Sequence, residues 1–278
     1  MFKTSIPVLM YHHVRPGAGM IACTPENFES QLQWLRANGY KGLSLDEFTR
    51  HLAGEDVGKG VVITFDDGYL NNWVYAFPLL KKYGFKATIF LVTSWLHHGE
   101  LRPNTEQGGD LPVCPDHHEC EARIAAGNSD EVILRWSEVA AMQQSGLIEF
   151  HSHTHTHTRW DKQPAESKNQ KMQWELAQSK QALVRELGEV SNHLCWPQGY
   201  FDEDYVRLAQ EAGFKYLYTT QAFGRNTTST PSTHIHRFAV RNRPGTTLGK
   251  RIRSGHHPLI APIFNGFKQW RRSQKGQR

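Results

Sequence analysis

The stretch Val61-Val62-Ile63-Thr64-Phe65-Asp66-Asp67-Gly68 decides the fold. Its first five residues are apolar or β-branched, a composition that predicts a buried strand. Two adjacent carboxylates follow, and Gly68 permits a sharp turn after them. Paired carboxylates at the end of a buried strand repel unless one is protonated or both face a cation. Two interpretations follow: a metal-assisted hydrolase site, or an exposed Asp-Asp-Gly turn.

Strands and helices alternate along the rest of the chain. Further buried strands are predicted at 6–13, 87–92 and 147–150, and late strands at 216–220 and 235–240. Helices are predicted at 24–39, 46–52, 69–83, 136–144, 164–187 and 202–212, with Thr24 and Asp46 as caps and Pro25 in a first turn. Strand–helix–strand order is typical of parallel sheets. We therefore expect an α/β fold, a distorted (β/α)7-type barrel forming a single domain.

Residues 94–132 interrupt this alternation with a segment rich in Gly, Pro, His and acids. A loop of that length is more often functional than idle, so we expect an insertion at the mouth of the site. Within it, Cys114 and Cys120 have five residues between them, including His117 and His118. Zinc motifs usually space their cysteines by two to four residues. A second metal site, a polar loop and a small disulfide are the three interpretations of this segment.

The strand predicted at 147–150 runs into four histidines that alternate with Ser and Thr. The carboxyl ends of parallel strands share one face of the sheet, so these histidines can meet the paired acids. Two histidines and one Asp suit zinc or another divalent cation of borderline softness. Spacing alone leaves two pairs open, His151 with His155 and His153 with His157. The alternative interpretation is a polar strand face without a metal.

Three segments together resemble one known family. Thr64-Phe65-Asp66-Asp67-Gly68 is similar to the first motif of the polysaccharide deacetylases, the NodB-homology group or carbohydrate esterase family 4. Ser152-His153-Thr154-His155-Thr156-His157 is similar to the second motif, and Leu9-Met10-Tyr11-His12-His13 to the first strand. The resemblance covers roughly residues 5–242. It implies a catalytic domain over 1–243, containing the 94–132 insertion, and a basic amphipathic tail over 244–278.

The resemblance also implies roles for the motif residues. Asp67, His153 and His157 would bind one divalent metal, with Zn²⁺ favoured over Co²⁺, Ni²⁺ and Mn²⁺. Asp66 would be the general base. Such a metal lowers the pKa of a bound water and polarises the amide carbonyl, so hydrolysis would give acetate and a free amino sugar.

The third family motif is only partly kept, as Cys195-Trp196-Pro197-Gln198-Gly199-Tyr200. The resemblance implies substrate binding by Trp196, Pro197, Gly199 and Tyr200, and an oxyanion contact from the backbone N–H of Gly199 or Tyr200. The Arg that orients the base in this motif is absent. We therefore expect Asp66 to be oriented in another way.

The catalytic acid has several candidates. The place of the final family motif is taken by Thr233-His234-Ile235-His236-Arg237-Phe238, which offers two histidines, of which His236 is our candidate. His12, at the end of the first strand, is a further candidate.

The charge is strongly asymmetric along the chain. Residues 1–211 hold 19 Lys and Arg and all 27 acids, a net charge of −8, whereas residues 212–278 hold 13 Lys and Arg and no acid. This distribution indicates an anionic partner such as phospholipid or lipopolysaccharide phosphate, or else a solvated basic tail. We expect no nucleic acid partner. The tail resembles an interfacial membrane segment, through Leu259, Ile260, Ile263, Phe264, Phe267 and Trp270 with Lys268, Arg271, Arg272 and Lys275. The alternative is a C-terminal helix packed on the barrel.

These features set our expectation for place and substrate. No apolar run approaches the roughly 20 residues of a membrane span, and the N-terminus does not read as a signal peptide. We therefore expect a cytoplasmic protein, peripheral on the inner face of the membrane. The expected substrate is an N-acetylated amino sugar of a glycolipid or polysaccharide precursor, with the lipopolysaccharide type favoured. The alternatives are a metal-dependent amidase acting on a non-sugar C–N bond and an inactive glycan-binding relative.

Overall fold

The computed structural model describes residues 5–188 and 191–276, without the side chains of Ala165, Arg272, Ser273 and Lys275. The predicted contribution of Arg272 and Lys275 to a membrane segment therefore lies outside the described residues. The strands are β1 (Val8–Tyr11), β2 (His13–Val14), β3 (Ala22–Cys23), β4 (Lys41–Gly42), β5 (Gly60–Phe65), β6 (Ala87–Leu91), β7 (Ile148–Ser152), β8 (His193–Cys195), β9 (Tyr216–Tyr218) and β10 (Phe238–Ala239).

The main sheet is parallel and curled. Its strand order is β10-β1-β5-β6-β7-β8-β9, and β4 pairs with the start of β5. Phe238 of β10 pairs with Leu9 of β1, while Ile235 just before it forms a bridge with Tyr218 of β9. One short segment thus contacts both ends of the sheet and draws it into a barrel-like form. The predicted α/β barrel fold in a single domain is confirmed.

Strand β5 lies in the interior of the sheet, between β1 and β6. All six of its residues are buried, because the parallel sheet is covered on both faces. A strand in that position needs apolar side chains on both sides, as its Val-Val-Ile run provides. Its carboxyl end therefore delivers Asp66 and Asp67 to one edge of a rigid core.

The helices lie between the strands. They are α1 (Pro25–Ala37), α2 (Leu45–Ala53), a π-helix (Asn72–Ala76), α3 (Phe77–Tyr83), α4 (His117–Ala125), α5 (Trp136–Gln144), α6 (Ala165–Leu187), α7 (Glu203–Glu211), α8 (Gly245–His256) and α9 (Ala261–Gly276). Short 3₁₀ turns occupy Ser129–Glu131, Trp160–Lys162 and Pro197–Gly199.

Most helix starts agree with the sequence signals, and one predicted cap was wrong. Thr24 caps α1 as expected, with Pro25 at its first position. Asp46 does not cap α2, because Ser44 does so in a reciprocal capping box with Glu47. The helix predicted over 69–83 ends at Tyr83 before Gly84, as expected. Its first part is a π-helix, and Pro78 in the first turn of α3 has no N–H to donate to the preceding turn.

The C-terminal tail begins with a helix packed on the barrel. Gly245 and Gly249 of α8 lie against α1, where an added Cβ would come within 2.2 Å of the Ser30 carbonyl oxygen and of the Trp34 ring. Helix α9 is more open to solvent, since Ile263 is 78% exposed and Phe267 is 53% exposed. Among the described residues, no helix is both long and apolar enough to cross a membrane.

Candidate active site

The paired acids and the histidines meet at the carboxyl edge of the sheet. Asp66 and Asp67 follow β5, and His153 follows β7. The Nε2 atom of His153 lies 3.3 Å from Asp67 Oδ1, and the Nε2 atom of His157 lies 3.5 Å from the same oxygen. Asp67, His153 and His157 each offer one ligand atom, and these atoms lie within 4.8 Å of one another. The structure therefore groups three of the residues that the motifs single out.

The local backbone adopts conformations that L-residues rarely use. Asp67, Thr154 and His157 have φ values of 74°, 65° and 63°. Non-glycine residues in this left-handed region persist where the surroundings fix them, and they concentrate at functional sites. The buried carboxylate of Glu175 is one such fixing group, because it accepts the backbone N–H groups of His155 and Thr156 at 2.8 and 2.7 Å. Sequence reasoning did not single out Glu175.

The hydrogen bonds of the four histidines show which pair belongs to the ligand group. His153 Nδ1 lies 2.8 Å from the Cys195 carbonyl oxygen. A carbonyl only accepts, so Nδ1 carries a proton and Nε2 is the ring atom that faces the cluster. In contrast, His151 Nδ1 bonds Ser191 Oγ and His155 Nδ1 bonds Thr93 Oγ1. Neither His151 nor His155 belongs to the ligand group.

The donor set fits a divalent cation. Asp67 Oδ1 is buried and has no hydrogen-bond partner, although both imidazoles face it. Such an oxygen is costly to bury unless a donor or a cation satisfies it. Burial raises the pKa of Asp67, but the neighbouring imidazoles of His153 and then His157 outweigh burial and hold that pKa well below its usual range. Two imidazoles and one carboxylate suit Zn²⁺.

A second possible ligand group, formed by Asp66, His153 and Cys195, fits a cation less well. Arg237 already occupies it, with Nη2 lying 2.9 Å from Cys195 Sγ and 2.8 Å from Asp66 Oδ2. A metal ion there would face a buried guanidinium charge. We therefore assign the candidate metal position to the Asp67 group.

Arg237 and Asp66 form a buried, two-pronged ion pair. Nη1 donates to Oδ1 at 2.7 Å and Nη2 donates to Oδ2 at 2.8 Å. Burial raises the pKa of Asp66, but the charge and hydrogen bonds of Arg237 outweigh burial and lower that pKa. The prediction that no arginine orients Asp66 was wrong, because the arginine comes from 171 residues further along the chain. The sequence did hold a signal for this arginine, because Arg237 is a charged residue within the late strand predicted at 235–240.

The two candidate acids have different surroundings. His12 lines the cavity that contains the paired acids, and its Nε2 lies 3.9 Å from Asp66 Oδ2. Burial lowers the pKa of His12 below its usual value, although Asp66 and Asp67 act in the opposite direction. His236 does not reach the site: its ring packs so closely against Gly224 that a Cβ there would lie 2.1 Å away. Side chains alternate along an extended segment, so the geometry that turns Arg237 toward Asp66 turns His236 away.

The third motif contributes less than expected to the cavity wall. Gly199 lines the cavity, but Trp196 is fully buried and stacks on Phe201 and Tyr205. Pro197 is also buried, and Tyr200 packs under the guanidinium of Arg159. A substrate therefore cannot contact the Trp196 or Pro197 side chains in this conformation.

The predicted oxyanion donors are already engaged. The Gly199 N–H donates to the Trp196 carbonyl at 2.9 Å, and the Tyr200 N–H donates to the Pro197 carbonyl at 3.1 Å. A tight turn satisfies its own N–H groups in this way. The structure thus does not support either group as a free oxyanion donor.

The 94–132 segment supplies one wall of the cavity, through Trp95, His117 and Glu121. The Nδ1 atom of His117, at the start of α4, lies 3.2 Å from His13 Nε2 and 3.3 Å from the Tyr69 hydroxyl oxygen. The cavity has a volume of about 180 Å³.

The two cysteines of this segment, Cys114 and Cys120, are free, so the small disulfide is not formed. Over residues 5–188 and 191–276, no possible metal group includes either cysteine. Of the three interpretations of the segment, the structure thus agrees best with a loop that carries a helix.

Comparisons with known proteins point to one family. The sequence model of the polysaccharide deacetylase family matches residues 53–217. YxkH of Bacillus subtilis, named as a polysaccharide deacetylase, is 29% identical over 218 residues, which are 78% of this chain and 64% of that protein. A poly-beta-1,6-N-acetyl-D-glucosamine N-deacetylase of Staphylococcus epidermidis is 27% identical over 239 residues, 79% of this chain and 73% of that protein. The chain thus spans about two thirds of the length of these relatives.

Solved structures show the same fold. The Streptococcus pyogenes deacetylase PplD, in complex with acetate, superposes with a TM-score of 0.70 at 24% identity, over 90% of this chain and 98% of that one. IcaB from Ammonifex degensii superposes with a TM-score of 0.69 at 22% identity, over 89% of this chain and 97% of that one.

Proposed function

The chain belongs to the polysaccharide deacetylase family, and we propose that it is a metal-dependent N-deacetylase that removes acetyl from an N-acetylated amino sugar and releases acetate. The observation that carries this proposal is the Asp67, His153 and His157 group, which lies beside an ionised Asp66 in one cavity. A hydrolase of this kind needs a metal position and a base side by side, and this edge of the sheet offers both.

Asp67, His153 and His157 would hold the metal ion, which we propose to be Zn²⁺. When bound, such an ion polarises the acetyl carbonyl and lowers the pKa of a bound water. The protein fixes the ligands beforehand. The Cys195 carbonyl sets the tautomer of His153, and Glu175 fixes the loop between the two histidines.

Asp66 would act as the general base. Its low pKa keeps it ionised at neutral pH, so it can accept the proton of the attacking water. Arg237 holds both carboxylate oxygens, which fixes the plane of the base relative to the cavity. Our candidate for delivering a proton to the leaving nitrogen is His12, on the wall of the same cavity.

The substrate is proposed to be a glycan or glycolipid precursor that carries N-acetylated amino sugars. The staphylococcal relatives are named for poly-beta-1,6-N-acetyl-D-glucosamine, which supports N-acetylglucosamine as the reacting unit. We favour a lipopolysaccharide-type precursor because the basic C-terminal region suits a substrate that carries phosphate.

We further propose that the enzyme lies on the inner face of a membrane and binds it through α9 and the residues just before it. Leu259, Ile263, Phe267 and Trp270 are each more than half exposed, and the region beyond Glu211 has no acid. Exposed apolar groups with nearby cations suit the anionic surface of the cytoplasmic leaflet. Flotation of the full-length protein with anionic and neutral vesicles tests this. Failure to float with anionic vesicles would contradict the membrane proposal.

The activity is tested by measuring acetate release from two substrates, β-1,6-linked N-acetylglucosamine oligomers and a lipopolysaccharide core precursor. Zinc-loaded protein is compared with its His153→Ala variant. We expect acetate from wild type only, and faster release from the precursor. Equal loss of acetate release from both substrates after metal removal would support a role for the metal in catalysis. Acetate released equally by His153→Ala would contradict it, and release from the oligomers alone would contradict the lipopolysaccharide-type preference.

A further inference from the structure

A second cavity lies between β10 and the C-terminal helices. It has a volume of about 420 Å³, and its walls are largely apolar, with Phe223, Phe238 and Phe264 among them. Its charged lining residues are all cationic: Arg241, Arg243, Arg251 and Lys268. No acid occurs in the chain beyond Glu211, and none from the earlier part lines this cavity. A pocket that combines apolar walls with several uncompensated cations complements an anionic amphiphile.

Arg251 is the central cation of this pocket. Its guanidinium lies 5.2, 4.9 and 5.4 Å from the ring centroids of Phe223, Phe238 and Phe264. Nη2 donates to the Ala222 carbonyl, whereas Nη1 is buried without a hydrogen-bond partner. Burial lowers the pKa of Arg251, and the charge of Arg241 lowers it further. An anion in the pocket would satisfy Nη1 and offset the repulsion between the two guanidinium groups.

The pocket flanks the same end of the sheet as the candidate active site. Ala222 and Phe223 line the pocket and come shortly after Thr220, which lines the active-site cavity. On the other side, the Val240 N–H donates to the Met10 carbonyl at 3.0 Å, and these two residues line the pocket and the active-site cavity respectively. A single elongated molecule can therefore extend from one cavity into the other.

Helix α9 extends the apolar surface beyond the pocket. Phe264 and Lys268 face the pocket, and the intervening Phe267 is exposed. Apolar side chains thus continue from the pocket lining to the outer surface of the helix. An acyl or prenyl chain that leaves the pocket along α9 would stay in contact with apolar groups.

We propose that this pocket binds a phosphorylated lipid, with the phosphate on Arg251 and the first part of the apolar chain against the three phenylalanine rings. The bound lipid would present its attached glycan to the active-site cavity. The binding itself is independent of the deacetylase activity, but the orientation of the glycan rests on the proposed function.

The test is calorimetric titration of the full-length protein with octyl phosphate, below its micelle concentration. Inorganic phosphate and octyl glucoside separate the contributions of the anion and of the chain. We expect one octyl phosphate per protein, and binding at least about tenfold weaker for either simpler compound, because octyl glucoside lacks the anion and inorganic phosphate lacks the apolar chain. Equal binding of inorganic phosphate would overturn the lipid assignment, and no binding of octyl phosphate would overturn the site.

The variants locate the site. Arg251→Gln should weaken octyl phosphate binding about tenfold, whereas Lys250→Gln removes an exposed cation from the same helix and should leave it unchanged. If Arg251→Gln fails to fold, the double variant Arg241→Gln/Arg243→Gln changes two exposed lining residues and should also weaken binding. Unchanged affinity in the folded pocket variants would overturn the assignment.

Failure of this inference and failure of the proposed function are distinguishable. Acetate release by wild type from soluble N-acetylglucosamine oligomers does not require the lipid pocket. Wild type that releases acetate without binding octyl phosphate would overturn only the pocket. Wild type that binds octyl phosphate but releases no acetate would support the pocket and contradict the deacetylase proposal.

Discussion

Arg237 fixes the base more firmly than any contact within the Asp-Asp-Gly turn itself. Its guanidinium is fully buried and holds both oxygens of Asp66. It also donates to the Thr64 hydroxyl at 3.1 Å, so the strand and the base are held by one group. A planar fork with several fixed donors suits this task, which a lysine ammonium cannot reproduce.

Arg237→Lys tests this positioning role. The substitution keeps a positive charge beside Asp66 but removes the two-pronged geometry. We expect kcat to fall roughly tenfold or more with little change in KM, because the base is misoriented while the substrate contacts remain. Steady-state kinetics of acetate release measure both constants. Arg253→Lys changes an exposed arginine of α8 that lines neither cavity, so it should behave as wild type. An unchanged kcat in Arg237→Lys would contradict the positioning role.

The individual residues differ in how far sequence could predict them. Asp67, His153 and His157 could be grouped because they follow strands whose carboxyl ends share one edge. Spacing alone did not choose between His153 and His151, since that choice depends on which backbone carbonyl each ring meets. The burial of Trp196 also followed from tertiary packing on Phe201 and Tyr205, which no local pattern encodes.

Among the elements, the 94–132 segment is held by one buried ion pair. Arg102 binds both oxygens of Glu138 at 2.7 Å and donates to the Asp130 and Ile133 carbonyls at 2.6 and 2.7 Å. Glu138 lies on α5 and its side chain is fully buried. This cluster fastens the segment that carries His117 to the barrel. The sequence indicated a long functional loop here, but not the pair that orders it, because the two charges are 36 residues apart.

Arg102→Ala should loosen this segment. Removal of one partner leaves Glu138 buried without its cation, which typically costs about 3–5 kcal/mol of unfolding free energy. Urea denaturation measures that loss, and limited proteolysis should show faster cleavage within 94–132. Arg123→Ala removes a partly exposed cation whose partners Glu119 and Glu131 are both exposed, so it should change stability little. Equal effects of the two substitutions would contradict the anchoring role of Arg102.

At the scale of the whole molecule, the sheet is closed by residues that are distant in sequence. Strands β1 and β10 pair across more than two hundred positions, and this pairing carries Arg237 to Asp66. The alternation of strands and helices was sufficient to predict a parallel α/β barrel. It could not predict which late residue would face the base, because short strands with mixed polarity leave the register open.

Buried histidines should make the stability of the whole protein depend on pH. His193 is buried against Tyr216 and His151, at ring distances of 4.9 and 4.7 Å, and its ring lies 3.2 Å from the Tyr218 hydroxyl. Burial, and next the neighbouring His151, lower the pKa of His193 well below its usual value. Below a pH of about 6.5 the unfolded state therefore binds a proton that the folded state does not. Stability should fall by about 1.4 kcal/mol per pH unit for this group as pH decreases, and the group should have no effect above that pH.

Melting temperatures between pH 7.5 and 5.5 measure this dependence. In His193→Phe the melting temperature should fall less steeply toward low pH than in wild type, whatever the stability of the variant at pH 7.5. In His98→Gln, which changes an exposed histidine, the slope should match that of wild type. Identical slopes in all three proteins would show that His193 does not titrate as its burial requires.

The most direct test of the account is the rate of acetate release by Asp66→Asn, measured beside wild type at equal metal content. Asparagine keeps the size of the side chain but cannot accept the proton of water. We predict that both proteins bind about one equivalent of zinc and that the variant is slower by at least about a hundredfold. A variant that binds zinc and releases acetate at the wild-type rate would contradict Asp66 as the base, and with it the proposed mechanism.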